Sequence, residues 1–169
     1  KNKLGLKKVA IMYGNDDSFT KSGYDVFKKA VDAEGLQIVA TETFAKGDID
    51  YSAQLTKIKS LKPDAIVCSA LVEEAANIVL QARKLGIPES VTFIGGNGFN
   101  SPKLAEIAGK AAEGVISGSP WFLADPNAKN QAFVKTYKAK FSSDPDQFAA
   151  QAYDALYIMS EALKKIKLT

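Results

Sequence analysis

Apolar positions along the chain follow two alternating periods. Short continuous runs, Val9-Ala10-Ile11-Met12-Tyr13, Ala65-Ile66-Val67-Cys68 and Val91-Thr92-Phe93-Ile94, read as strands buried on both faces. Further strands are predicted over residues 37–43 and 114–118. Between them apolar residues recur three or four apart, the spacing of a helix with one buried stripe. Gly23, Val26, Phe27, Ala30 and Val31 define the first such face. Tyr51, Leu55 and Ile58 define the second, and Ala75, Ile78, Val79, Ala82 and Leu85 the third. Gly35 and Gly86 stand where helices stop, and Pro63 lies just beyond the second helix. Ser101-Pro102 suits the cap and first position of a short fourth helix. Two more helices are predicted, over residues 130–141 and 146–166, the last carrying Phe148, Ala152, Leu156, Met159 and Leu163.

Strands recurring near residues 8, 37, 65, 92 and 115 suit successive right-handed strand–helix–strand crossovers. The expected fold class is α/β, a three-layer sandwich around a five-stranded parallel sheet, flavodoxin-like with order 2-1-3-4-5. Ligands of such sheets bind outside the strand C-termini, near the switch in strand order. That places a site on the loops 14–19, 69–72 and 95–100, with the loop after the fifth strand joining from the side. Residues 119–127, rich in proline and aromatics, read as a hinge before the last two helices.

Composition narrows the chemistry. The chain is 46% hydrophobic and 24% charged, as an ordinary globular protein is. No apolar run approaches the roughly 18 residues of a membrane span. There is no histidine, so Ser-His-Asp and Cys-His catalysis and histidine zinc sites are excluded. The lone cysteine, Cys68, forms no internal disulfide, iron–sulfur site or CxxC pair, and in an apolar strand it reads as a small buried hydrophobe. Arg83 is the single arginine, the lysines are scattered, and the net charge is only +3, so no nucleic-acid partner is expected. Lys1 is followed by no apolar leader, so the expectation is a mature form or fragment whose signal segment lies outside this chain.

The local motifs are weak taken singly. Asn15-Asp16-Asp17 resembles the acidic pair of a phosphoryl receiver, but the third strand ends Val67-Cys68-Ser69 without a phosphoacceptor aspartate. The plain reading is an Asx turn entering a helix. Gly96-Asn97-Gly98 lacks the third glycine of a dinucleotide fingerprint, Ser101 standing there, and follows the wrong strand. A flavin phosphate at the first loop would meet Asp16 and Asp17. No cofactor and no metal are therefore expected. Tyr51, Tyr137, Tyr153 and Tyr157 read as packing residues, and Trp121, after Pro120, as a ligand contact or a hinge element.

Four phrases in order carry a family resemblance. They are Lys8-Val9-Ala10-Ile11 leading to 15–23 (Asn-Asp-Asp-Ser-Phe-Thr-Lys-Ser-Gly), and Asp50-Tyr51-Ser52-Ala53-Gln54-Leu55 followed by Lys62-Pro63-Asp64-Ala65-Ile66. The third is Ala111-Ala112-Glu113-Gly114-Val115 leading to Ser119-Pro120-Trp121-Phe122, and the fourth 146–155 (Asp-Gln-Phe-Ala-Ala-Gln-Ala-Tyr-Asp-Ala). Together they resemble the solute-binding proteins of branched-chain amino-acid-type ABC transporters, with the type I periplasmic-binding fold. That resemblance implies two α/β lobes closing on a ligand. Residues 1–120 would be the second-lobe core. Residues 121–169 would be the crossover and two helices that in the family pack on the first lobe, here packed on the core or swapped in a homodimer.

Carried over by position, the family's aromatic contacts fall at Ser18, beside Phe19, and at Leu71, and its acidic partner for an α-ammonium falls at Asn97. All three depart from the amino-acid-binding pattern. The resemblance then implies a carboxylate, an amide or an aromatic acid near Phe19 and Trp121, its carboxylate met by the missing first lobe. The candidate contacts are Asn15, Asp17, Ser18, Phe19, Ser69, Leu71, Gly96, Asn97 and Trp121. The implied function is non-enzymatic capture of a small solute, periplasmic or extracellular, lipid-anchored or free, for delivery to an ABC permease. The alternatives are a sensing domain of a receptor or regulator with this fold, and a flavodoxin-like cofactor domain.

Overall fold

A computed structural model describes residues 2–166. Five parallel strands form one sheet in the order β2-β1-β3-β4-β5. They are β1 (Lys8–Gly14), β2 (Gln37–Phe44), β3 (Ala65–Ser69), β4 (Thr92–Gly95) and β5 (Ile116–Ser117). The crossovers are α1 (Ser18–Ala33), α2 (Ser52–Leu61), α3 (Val72–Lys84) and α4 (Pro102–Ala108). The helices α5 (Ala128–Phe141) and α6 (Gln147–Lys165) follow. The chain divides into two compact units, one through Gly118 and one from Ser119 onward.

Strand alternation splits the first unit's core in two. Val9 and Ile11 face α1 with Val31, Ala65 and Val67. Ala10 and Met12 face the other side, with Tyr51, Leu55 and Ile58 of the α2 region, Ile78, Val79 and Ala82 of α3, and Leu104 and Ala108 of α4. The central strands β1 and β3 are therefore apolar on both faces, which is why they read as continuous runs. Helix stops are as expected: Gly35 and Gly86 take left-handed φ of +61° and +78°.

Two expectations need correction. On α1, Val26 is 64% exposed and Ala30 is exposed too, although both share the apolar stripe. The helix is rolled so that Thr20 and Val31 are buried, with Phe27 partly buried beside them. The Thr20 hydroxyl donates to the Gly14 carbonyl at 2.8 Å, and Gly23 lies so close to Ser69 that a Cβ would overlap its hydroxyl. Those contacts set the roll. The fifth strand is only two residues long rather than 114–118, because Gly114 (φ +76°) breaks extended geometry and β4 offers a short edge.

The second unit is organised by Asn130. Its side chain accepts from the Trp121 indole N–H at 2.6 Å and donates to the carbonyls of Leu123 and Asp125, winding 121–127 against α5. Helices α5 and α6 meet through rings, Phe133 and Tyr153 lying 4.9 Å apart. Phe148, Leu156, Met159 and Leu163 of α6 are exposed.

Candidate ligand-binding site

The strand register brings three loops to one sheet edge. Tyr13 pairs with Ser69 and Cys68 with Gly95, so the loops after β1, β3 and β4 leave neighbouring strand ends. In the first loop the Asn15 amide donates to the Phe44 carbonyl at 3.0 Å. Asp17 caps α1, accepting from the amides of Phe19 (3.0 Å) and Thr20 (3.2 Å). The Phe19 amide bond above all holds the Asp17 carboxyl below its ordinary pKa, so it stays ionised and committed to the helix. Asp16 accepts from the Lys46 amide at 2.9 Å and 3.1 Å. With both carboxylates engaged by backbone, Ser18 and Phe19 are left exposed.

The second and third loops are drawn together by glycines. A Cβ on Gly98 would overlap the Ala70 carbonyl oxygen, and one on Gly95 would overlap the Phe99 ring. Neither position admits a side chain without a shift of backbone or core. Asn97 opens a tight turn, Asn97–Phe99, in which the Phe99 amide donates to the Gly96 carbonyl at 3.0 Å. The Ser117 hydroxyl donates to the same carbonyl at 3.2 Å. Leu71 stands at the N-cap of α3 without a side-chain cap bond.

Six of the nine candidates, Asn15, Ser18, Phe19, Leu71, Gly96 and Asn97, thus lie in the loops or the first helical turn at one edge. Asp17 is on the same edge but spent as a cap, the Asx-turn reading of its motif. Ser69 is buried behind Gly23. Trp121 belongs to the second unit, bonded to Asn130 and edge-on to Phe133. The side chains of these six are uncharged and offer hydrogen bonds and the Phe19 ring, while exposed Asp16 in the same loop holds the Lys46 amide.

Other residues are accounted for structurally. Burial pushes the Cys68 thiol far up, away from reactivity. The Arg83 guanidinium donates to the carbonyls of Pro88 (2.6 Å), Val91 (3.1 Å) and Ile87 (3.3 Å), and stacks over Phe93 with its carbon 5.2 Å from the ring centre. It staples the α3–β4 connection and leaves the edge without a guanidinium. Among the described residues no group of three or more acidic, cysteine or histidine side chains could hold a metal ion. No described helix is long and apolar enough to cross a membrane.

One residue escaped the sequence reading. Glu74 is only 7% exposed and accepts from the Gly47 amide at 3.2 Å. It lies on the inner stripe of α3 with Ile78 and Gln81, and a carboxylate in an apolar stripe was the signal available.

Three loops meeting at the C-terminal edge of a parallel sheet form the place where open α/β units bind small molecules. The family described as periplasmic binding protein matches residues 1–169, and the chain belongs to it. A curated relative is the leucine-, isoleucine-, valine-, threonine- and alanine-binding protein of Pseudomonas aeruginosa. It is 28% identical over 82% of this chain and 36% of its own length. The crystal structure of the branched-chain amino acid transporter substrate binding protein LivJ from Streptococcus pneumoniae, in complex with isoleucine, is similar with a TM-score of 0.86. It is 36% identical and matches over 95% of this chain and 45% of its own. An ABC transporter solute binding protein from R. palustris in complex with benzoate has a TM-score of 0.88 at 26% identity, over 97% of this chain and 44% of its own. The chain therefore spans less than half the length of these relatives.

Proposed function

We propose that this chain is the second lobe, residues 1–120, with the crossover and two following helices, residues 121–169, of an extracytoplasmic solute-binding protein. The whole protein captures a small molecule between two lobes and delivers it to an ABC permease, without chemical change. The observation that carries this reading is the group of uncharged side chains Ser18, Phe19, Leu71 and Asn97 brought to one edge at the ends of β1, β3 and β4. Such an edge suits an amide, hydroxyl, aromatic or aliphatic part of a solute. A carboxylate on the solute takes its counter-charge from the other lobe, since Arg83 is spent on the α3–β4 connection.

A half-cleft binds weakly, because the translational and rotational cost of association is offset by fewer contacts. The test is a 15N–1H NMR titration of the chain with isoleucine, benzoate and benzamide. Shifts confined to amides of residues 14–19, 69–71 and 95–100, saturating only at millimolar solute, support the reading. Saturation at micromolar solute would show a site complete without a second lobe. Shifts confined elsewhere, or none at that edge, count against it.

A further inference from the structure

The loop after β2, residues 45–48, supplies no candidate contact, yet it joins two segments that do. Three consecutive amides in it donate to carboxylates from three different places in the chain. The Ala45 amide donates to Asp48 of the same loop at 2.8 Å. The Lys46 amide donates to both oxygens of Asp16 in the first loop, at 2.9 Å and 3.1 Å. The Gly47 amide donates to Oε1 of Glu74, in the first turn of α3, at 3.2 Å. Successive backbone amides are a natural receiver for anions, and here the protein's own side chains are the anions. Gly47 takes a left-handed φ of +85°, which a residue with a side chain adopts only under strain. Asp16 lies just before Ser18 and Phe19, and Glu74 one helical turn beyond Leu71. Between Asp17, Lys46 and Leu71 there remains a gap of only about 10 Å³, so a displacement of one segment reaches the others.

Glu74 is an unfavourable choice for α3 itself. It is buried, and its Oε2 has no hydrogen-bond partner. A carboxylate there carries a desolvation penalty that an apolar residue beside Ile78 would not. Stability alone does not account for it, whereas its hold on the Gly47 amide does. We propose that Asp16 and Glu74 are positioning residues of the solute edge. Through the amides of Lys46 and Gly47 they use the loop after β2 as a brace, which sets Ser18 and Phe19 against Leu71. The inference deepens the solute-capture reading and rests on it for the response to solute, but not for the brace itself.

The test is 15N–1H NMR of the chain and of Asp16→Ala, Asp16→Asn, Glu74→Leu and Glu74→Gln, each titrated with benzoate and each unfolded in urea. The Ala and Leu variants are read on the far side of the brace. Glu74→Leu should shift the Ser18 and Phe19 amides, and Asp16→Ala the Leu71 and Val72 amides. Each should weaken the benzoate response about threefold or more, the scale of one lost hydrogen bond. Asn and Gln keep an acceptor for the same amide and should restore most of that response. Glu74→Leu also removes the unpaired oxygen, so its urea midpoint should hold while its solute response falls, which a merely structural role would not give. Asp16 is exposed, so Asp16→Ala keeps its fold should Glu74→Leu not. The proposal is overturned if amides across the brace do not move, if benzoate binds both variants as it binds the native chain, if Asn and Gln rescue nothing, or if the response falls only as far as the urea midpoint does. A native chain that gives no benzoate shifts at residues 14–19 fails the solute reading instead, and the shifts across the brace then decide the brace alone.

Discussion

The two units use similar residues in opposite ways. In the first, large apolar side chains such as Tyr51, Ile78 and Phe93 are fully buried, each strand meeting helices on one face or both. In the second, Leu156 and Ile158 are 66% and 71% exposed, and Phe148, Met159 and Leu163 are exposed with them. Only Pro145, Gln147 and Ala150 are buried among its described residues. Helix α6 sets Tyr153 against Phe133 of α5 and leaves Phe148, Leu156, Met159 and Leu163 exposed. A helix apolar well beyond the stripe it packs is made for the middle of a layered structure. Large apolar side chains exposed along one face mark a surface that a partner ordinarily covers. The first unit is a finished core carrying half a binding edge, and the second offers a face that wants a further layer, which the proposed first lobe would supply.

Four experiments can break or sharpen that contrast. The largest effect is expected for Phe93→Ala, which empties a fully buried site beneath Arg83 and should cost about 3–5 kcal/mol in urea unfolding. A loss below 1 kcal/mol would mean the first core is loosely packed. Gly98→Ala should cost about 1–3 kcal/mol through overlap with the Ala70 carbonyl. It should also shift the amides at 70 and 71, tying stability of the first unit to the shape of its edge. Asp64→Asn probes acid sensitivity. The Lys8 amide first, then that of Lys7, each at 2.8 Å, holds the Asp64 carboxyl below its ordinary 3.8. Its contribution is therefore full above that value and lost as pH falls through the lower folded-state value. The native chain should be more stable than the variant at neutral pH and lose that advantage on acidification. A difference that grows on acidification would contradict the assignment. The smallest effect is expected for Leu156→Ala, within about 0.5 kcal/mol, as for any exposed position. A loss of 2 kcal/mol or more, on the scale of a core truncation, would mean that α6 is covered in solution.

Much of the first unit is legible in the residues because its geometry is periodic. Apolar runs mark β1 and β3, stripes such as Leu55 and Ile58 mark the inner faces, and crossover handedness orders the sheet. The edge follows from that order, and within it Ser18, Leu71 and Asn97 are singled out by the family resemblance. What periodicity does not carry is roll, commitment and cover. The roll of α1 depends on one hydroxyl bond, Thr20 to Gly14, and one close approach, Gly23 to Ser69. Asp17 looks like a site carboxylate until its bonds to the amides of Phe19 and Thr20 are seen. Glu74 was hidden because a single carboxylate in an apolar stripe barely disturbs the pattern. The stripe on α6 was read correctly as apolar, but a stripe does not say what lies over it.

Amide hydrogen exchange, read along the whole chain by mass spectrometry, tests the contrast most directly. Slowest exchange should fall in β1, β3 and the inner turns of α3, with α6 exchanging well before them, since exposed helices open locally at less than the global cost. Protection of α6 equal to that of β1 would contradict it, because the helix would then already lie within a closed core.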